Sequence, residues 1–203
     1  MFVKICGITR EADAAAAVAC GASAIGFIFW PKSPRYVEPE RARAIVRSLP
    51  PFVTPVGVFV NEDVEHVNRV ANMVGLGAVQ LHGDESPDMV DAVNRPVVKA
   101  LGRIDAGTAT AWPGRVRLLI DADDRERRGG TGACADWDAA AALARQRPIV
   151  LAGGLTPANV AEAVSRVSPF GIDVSSGVED APGIKNADRI RELFEVLRTV
   201  SRR

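Results

Sequence analysis

Histidine is nearly absent from this chain and cysteine is scarce. The two histidines, His66 and His82, stand far apart and lack the spacing of metal ligands. The three cysteines, Cys6, Cys20 and Cys134, form no Cys-x-x-Cys pair, which argues against the common zinc modules. They are also too few and too scattered for a disulfide framework. Charge of one sign is missing as well: 25 basic side chains meet 25 acidic ones, so no electrostatic footprint for nucleic acid exists. That balance does little to oppose self-association, and either a monomer or a homodimer fits it. No apolar run reaches the roughly 18 residues of a membrane span. The N-terminus opens on Phe2-Val3-Lys4-Ile5-Cys6, without the basic stretch and apolar run of a signal peptide. These absences lead us to expect a soluble, reduced, cytoplasmic protein with no metal, no cofactor, no membrane and no nucleic-acid partner.

What is present is an alternation. The chain has 203 residues, 47% of them apolar, enough for one packed domain over 1–203. Short β-branched runs at 2–6, 24–29, 54–60, 78–81, 97–100, 116–120, 149–152 and 171–174 read as strands. Between and after them, amphipathic or Ala- and Arg-rich stretches at 11–20, 39–48, 64–74, 86–93, 106–112, 137–145, 158–167 and 187–200 read as helices. Gly21 and Gly75 stand where helices should stop. Thr9, Asn61 and the Thr156-Pro157 pair stand where helices could start. Nearly all-apolar strands indicate a parallel sheet covered on both faces. The rival is an open doubly wound sheet, but its dinucleotide-binding version should carry Gly-x-Gly-x-x-Gly after the first strand, where Cys6-Gly7-Ile8-Thr9 stands. Eight βα units in so short a chain favour closure. The expected fold is an α/β, parallel eight-stranded (β/α)8 barrel.

In such a barrel the chemistry sits at the carboxyl ends of the strands and in the loops after them. Ala152-Gly153-Gly154-Leu155 follows the seventh strand, and Ser175-Ser176-Gly177 follows the eighth. Paired there, Gly153, Gly154, Ser175, Ser176 and Gly177 suit a phosphate held by backbone N–H groups; each loop alone is equally a tight turn. Cys6 closes the first strand and shares a face with Lys4. It is either a small buried residue or a base, and a base must be a thiolate, for which Lys4 is a candidate cation. Asp121 closes the sixth strand as a general acid or as a loop anchor. Arg35 lies in the proline-stiffened Pro31-Lys32-Ser33-Pro34-Arg35 loop, as a carboxylate fork or a surface arginine. His82 and Asp173 are read as supporting, and Gly129-Gly130-Thr131-Gly132 as a lid.

Taken in order, Lys4-Ile5-Cys6-Gly7-Ile8-Thr9, Gly26-Phe27 through Ser33-Pro34-Arg35, Gln80-Leu81-His82-Gly83, Gly129-Gly130-Thr131-Gly132, Ala152-Gly153-Gly154-Leu155, Asp173-Val174-Ser175-Ser176-Gly177-Val178-Glu179 and Pro182-Gly183-Ile184-Lys185 resemble the phosphoribosylanthranilate isomerase family over essentially the whole chain. The resemblance implies a cofactor-independent Amadori rearrangement of a small phosphorylated substrate. It implies Asp121 as the acid that opens the furanose ring and Cys6 as the base that takes the C2 proton. It implies Arg35 on the anthranilate carboxylate and the last two loops on the phosphate. Ala133-Cys134-Ala135 departs from the Lys-Thr-Phe that the family often has after the lid, which bears on rate rather than on reaction class. A ribulose-phosphate epimerase would need metal ligands. An indoleglycerol-phosphate synthase would need a lysine acid. A histidine-pathway isomerase would carry aspartate in place of Cys6, and a non-catalytic phosphate binder would need neither Cys6 nor Asp121.

Overall fold

The computed structural model describes residues 1–104, 106–121 and 135–200. The expected lid residues Gly129, Gly130, Thr131 and Gly132 lie outside that set, as does Cys134.

Eight parallel strands close a barrel: β1 (Phe2–Ile5), β2 (Ala24–Ile28), β3 (Thr54–Phe59), β4 (Ala78–Leu81), β5 (Val97–Leu101), β6 (Arg117–Ile120), β7 (Ile149–Leu151) and β8 (Gly171–Val174). The ring closes where β1 pairs with β8, with Lys4 in register with Asp173. A strand alternates its side chains, so two different cores form. One parity faces the barrel interior, where Phe2, Val98, Ala100, Leu119, Val150 and Ala152 pack together and Phe2 also meets Ala24, Val56 and Ala78. Gly171 admits Phe2 there: a Cβ on it would lie 2.6 Å from the Phe2 carbonyl and 2.8 Å from its ring. The other parity (Val3, Ile5, Ile25, Phe27, Leu118, Ile120, Ile172) faces the helices in the larger core.

The covering helices are α1 (Glu11–Cys20), α2 (Pro39–Val46), α3 (Val64–Val74), a 3-10 segment Pro87–Ala92, α4 (Ala106–Ala111), α5 (Trp137–Ala144), α6 (Val160–Val167) and α7 (Ala187–Val200). Their apolar stripes follow the helical period: Val67, Val70, Ala71 and Val74 on α3, and Ile190, Leu193, Phe194 and Leu197 on α7. Gly21 and Gly75 end α1 and α3 in the left-handed conformation, as expected.

The expected starts are corrected. Thr9 caps nothing; its hydroxyl donates to the Gly183 carbonyl at 2.6 Å. Asp63 rather than Asn61 caps α3, accepting from the His66 amide at 2.7 Å, while Asn61 itself turns the chain at φ 55°. α6 begins at Val160, because Thr156-Pro157 is spent on a turn in which the Asn159 side chain bonds the Thr156 amide and the Gly154 carbonyl. The stretch 86–93 is a 3-10 turn, too short in apolar period for an α-helix. The sequence reading also missed a short hairpin after β8: β9 (Glu179–Ala181) and β10 (Ile184–Lys185), joined at Gly183 with φ 78°.

Candidate active site

Cys6, Asp121, Ala152 and His82 each stand one residue beyond a strand, yet their amides continue the ladder. Cys6 N donates to Val174 O at 2.9 Å, Asp121 N to Leu101 O at 3.0 Å, Ala152 N to Ile120 O at 2.7 Å and His82 N to Phe59 O at 2.8 Å. The inward parity is therefore preserved at the mouth, where a cleft of about 830 Å³ opens. Cys6, Arg35, Gln80, His82, Asp121 and Asp173 all line it, together with Gly153, Gly154, Ser175 and Ser176. Such a volume suits a small-molecule ligand. Cys6 and Asp121 stand on strand ends separated round the ring by β8 and β7.

Gly153 and Gly154 both take positive φ, 79° and 63°, a conformation that side chains resist. Gly177 is not on the cleft wall. It is the point where the two loops touch: a Cβ there would fall 1.9 Å from the Leu155 carbonyl oxygen. Gly177→Ala should push the 153–156 turn away, raising the dissociation constant for inorganic phosphate by about tenfold, or about 1.4 kcal/mol. Competition by phosphate in a binding assay measures this, and an unchanged constant would show that the turn does not depend on that contact.

Cys6 is 6% exposed. Burial pushes its thiol above the ordinary range; Lys4 pulls it down, Asp173 pushes it up and Lys185 pulls it down, without reversing the effect of burial. Lys4 is oriented by Asp173, its Nζ donating to Oδ2 at 2.8 Å. The Asp173 Oδ1 and Gln80 Oε1 atoms are buried without a hydrogen-bond partner among the described residues. The Gln80 amide nitrogen lies 3.0 Å from His82 Nδ1. With that amide as donor, Nδ1 accepts and the ring proton sits on Nε2, which is 3.4 Å from Asp121 Oδ2.

Arg35 is no surface arginine. Its side chain crosses Gly7, where a Cβ would lie 2.7 Å from Arg35 Cδ, and Glu179 takes its Nε at 3.0 Å and its Nη2 at 2.7 Å. The Nε–Nη2 edge of the guanidinium is thus occupied from within, while Arg35 still lines the cleft. Glu179 also accepts from Lys185 Nζ at 2.7 Å and from the Gly183 amide at 3.2 Å. Lys185 Nζ in turn reaches the Ser175 carbonyl at 3.2 Å. The hairpin is therefore a wedge that carries a carboxylate and an ammonium beneath the mouth. Sequence reasoning gave Glu179 and Lys185 no role; the only signal was Pro182-Gly183, a turn between two short runs. It also missed Trp30, Lys32 and Asn61 on the cleft wall. Among the described residues no group of His, Cys, Asp and Glu is arranged to hold a metal ion.

A thiol and a carboxyl at strand ends thus share one cleft with paired glycine and serine turns. The sequence profile of the family described as N-(5'phosphoribosyl)anthranilate (PRA) isomerase matches residues 3–196. The chain belongs to this family. It is thereby an enzyme, an isomerase of tryptophan biosynthesis. It is 50% identical over 195 residues to the N-(5'-phosphoribosyl)anthranilate isomerase of Citrifermentans bemidjiense, covering 95% of this chain and 94% of that one. The crystal structure of phosphoribosyl anthranilate isomerase from Thermus thermophilus superposes with TM-score 0.90 at 41% identity, over 98% of this chain and 100% of that one. A phosphoribosyl anthranilate isomerase in complex with reduced 1-(o-carboxyphenylamino)-1-deoxyribulose 5-phosphate superposes with TM-score 0.87 at 40% identity, over 98% and 99%. The isomerase barrel shared with these relatives includes the (β/α)8 closure expected from the strand count. No helix among the described residues is long and apolar enough to cross a membrane.

Proposed function

We propose that this isomerase carries out the Amadori rearrangement of N-(5'-phosphoribosyl)anthranilate to 1-(2-carboxyphenylamino)-1-deoxyribulose 5-phosphate by general acid–base catalysis, with Cys6 as base and Asp121 as acid. The observation that carries this reading is a single cleft lined by Cys6, Asp121, Arg35 and the Gly153-Gly154 and Ser175-Ser176 turns. Asp121 delivers a proton to the furanose ring oxygen, the C1–O bond breaks, and the anilino nitrogen supplies the electron pair that makes the Schiff base. Cys6 as thiolate then removes the C2 proton, whose electrons move to give the enolamine, which tautomerises to the ketose. Gly153, Gly154, Ser175 and Ser176 hold the phosphate through backbone and hydroxyl donors, with Gly177 locking the two turns together. The buried acceptors of Asp173 and Gln80 suit substrate hydroxyl groups. The chain works in the cytoplasm as one domain, monomeric or homodimeric, and needs only its small phosphorylated substrate.

The substrate is fluorescent, so the purified chain should abolish its signal with turnover; absence of any turnover would end this reading. Arg35 is assigned to the anthranilate carboxylate through the end of its guanidinium. Arg35→Ala should raise the substrate KM by about tenfold or more, the loss of one charge-assisted hydrogen bond. It should leave competition by inorganic phosphate nearly unchanged. Equal losses for both ligands would place Arg35 on the phosphate or in a purely structural role.

A further inference from the structure

Lys4 is a buried lysine that the mechanism above does not use. It is 3% exposed, and its ammonium is turned by Asp173 from the neighbouring strand β8. Gly26 on β2 fixes what lies next to it. A Cβ at Gly26 would fall 2.8 Å from Cys6 Sγ and 3.0 Å from both Cε and Nζ of Lys4. Sulfur and ammonium therefore converge over the same bare patch of backbone. Burial would strip the Lys4 proton, but Asp173 and Cys6 outweigh it and hold the pKa above the ordinary lysine range, so the cation is permanent. The charged and polar groups that face Cys6 are Lys4 from its own strand, Asp173 and Ser175 from β8 and the loop after it, and Lys185 from β10.

We propose that Lys4 is a positioning residue for the Cys6 base, its Asp173-oriented ammonium serving as the counter-ion of the thiolate inside the cleft. This rests on Cys6 being the base, and the test keeps the two ideas apart. Iodoacetamide modification of Cys6, followed by the mass of the peptide that contains it, reports the thiolate fraction directly and needs no turnover. In wild type the midpoint of the alkylation-versus-pH curve should lie above that of a free cysteine, since burial raises it. Lys4→Met should move it up by a further one to three units, roughly the range for loss of a close opposite charge, and slow alkylation at pH 7.5 at least tenfold. Turnover should fall with it at little cost in KM.

Gly26→Ala keeps both charged groups and drives a methyl between them, so it decides the matter if Lys4→Met does not fold. An upward shift in Gly26→Ala supports the pair. Unchanged midpoints in the folded variants overturn it. If Cys6→Ser remains active while Lys4→Met shifts the midpoint, the base assignment fails and the ion pair stands. If Cys6→Ser is inactive and neither variant moves the midpoint, the base stands and Lys4 has no part in it.

Discussion

Cys6→Ser and Asp121→Asn are each expected to lower turnover by about a hundredfold or more, the scale of a single positioned acid or base. Serine keeps the shape of the thiol but ionises far less readily, so at neutral pH almost no anion is available to take the C2 proton. Asparagine keeps the size and one acceptor of Asp121 but has no acidic proton to deliver to the ring oxygen. Neither change touches the phosphate turns or Arg35, so the loss belongs in kcat, with KM moving little. Continuous loss of substrate fluorescence gives both constants. Near wild-type rates in both variants would remove the assigned roles.

Glu179→Ala should destabilise the fold by about 3–5 kcal/mol, because it leaves Arg35 and Lys185 as buried cations without their shared anion. For a chain of this length that is a drop in Tm of about 6–20 °C, measurable by thermal denaturation. A change of under about 2 °C would mean that water or rearranged side chains replace the carboxylate at no cost. Glu179→Gln keeps the acceptor and loses only the charge, which separates packing from electrostatics. Burial by itself would raise the Glu179 carboxyl, but Arg35 and Lys185 hold it below the usual range. Its folded pKa thus lies below its unfolded value of about 4.3, so the stabilisation is present at neutral pH and above that unfolded value. It is lost as the pH falls through the folded value. The Tm gap between wild type and Glu179→Gln should therefore hold from pH 7 down to about 5 and shrink in more acidic buffer. A gap that stayed constant down to pH 3 would show that the charge of Glu179 plays no part.

Particular residues show how much could be read in advance. The 2.0 and 3.6 periods of the chain marked the eight barrel strands and most helices, since each period follows from local backbone geometry, but neither the 3-10 segment within 86–93 nor the β9–β10 hairpin. The same alternation placed Lys4 with Cys6, and put Asp121 at the end of an apolar strand. Strand ends that face a barrel mouth are the one place where local order already implies a site, so the cleft-lining positions of Cys6, Asp121, Gly153, Gly154, Ser175 and Ser176 were legible. The helix starts at Thr9, Asn61 and Pro157 were not. Thr9 and Asn61 are drawn instead to distant turns, at Gly183 and at Asp84 and Glu85, while Thr156-Pro157 is held in a local turn by Asn159.

The sequence on its own determined the eight strands, their inward parity and the strand-end groups Cys6, His82 and Asp121 that reach the mouth, because these depend only on spacing along the chain. The tertiary structure alone decided what those groups are bonded to. Glu179 lies 144 residues from the Arg35 it holds, and Asp173 lies 169 residues from the Lys4 it orients. Barrel closure brings β8 and its hairpin against β1, and no local preference specifies a charge pair across that distance. The electrostatics of the site, with three buried cations anchored by two carboxylates around a buried thiol, is a product of that closure.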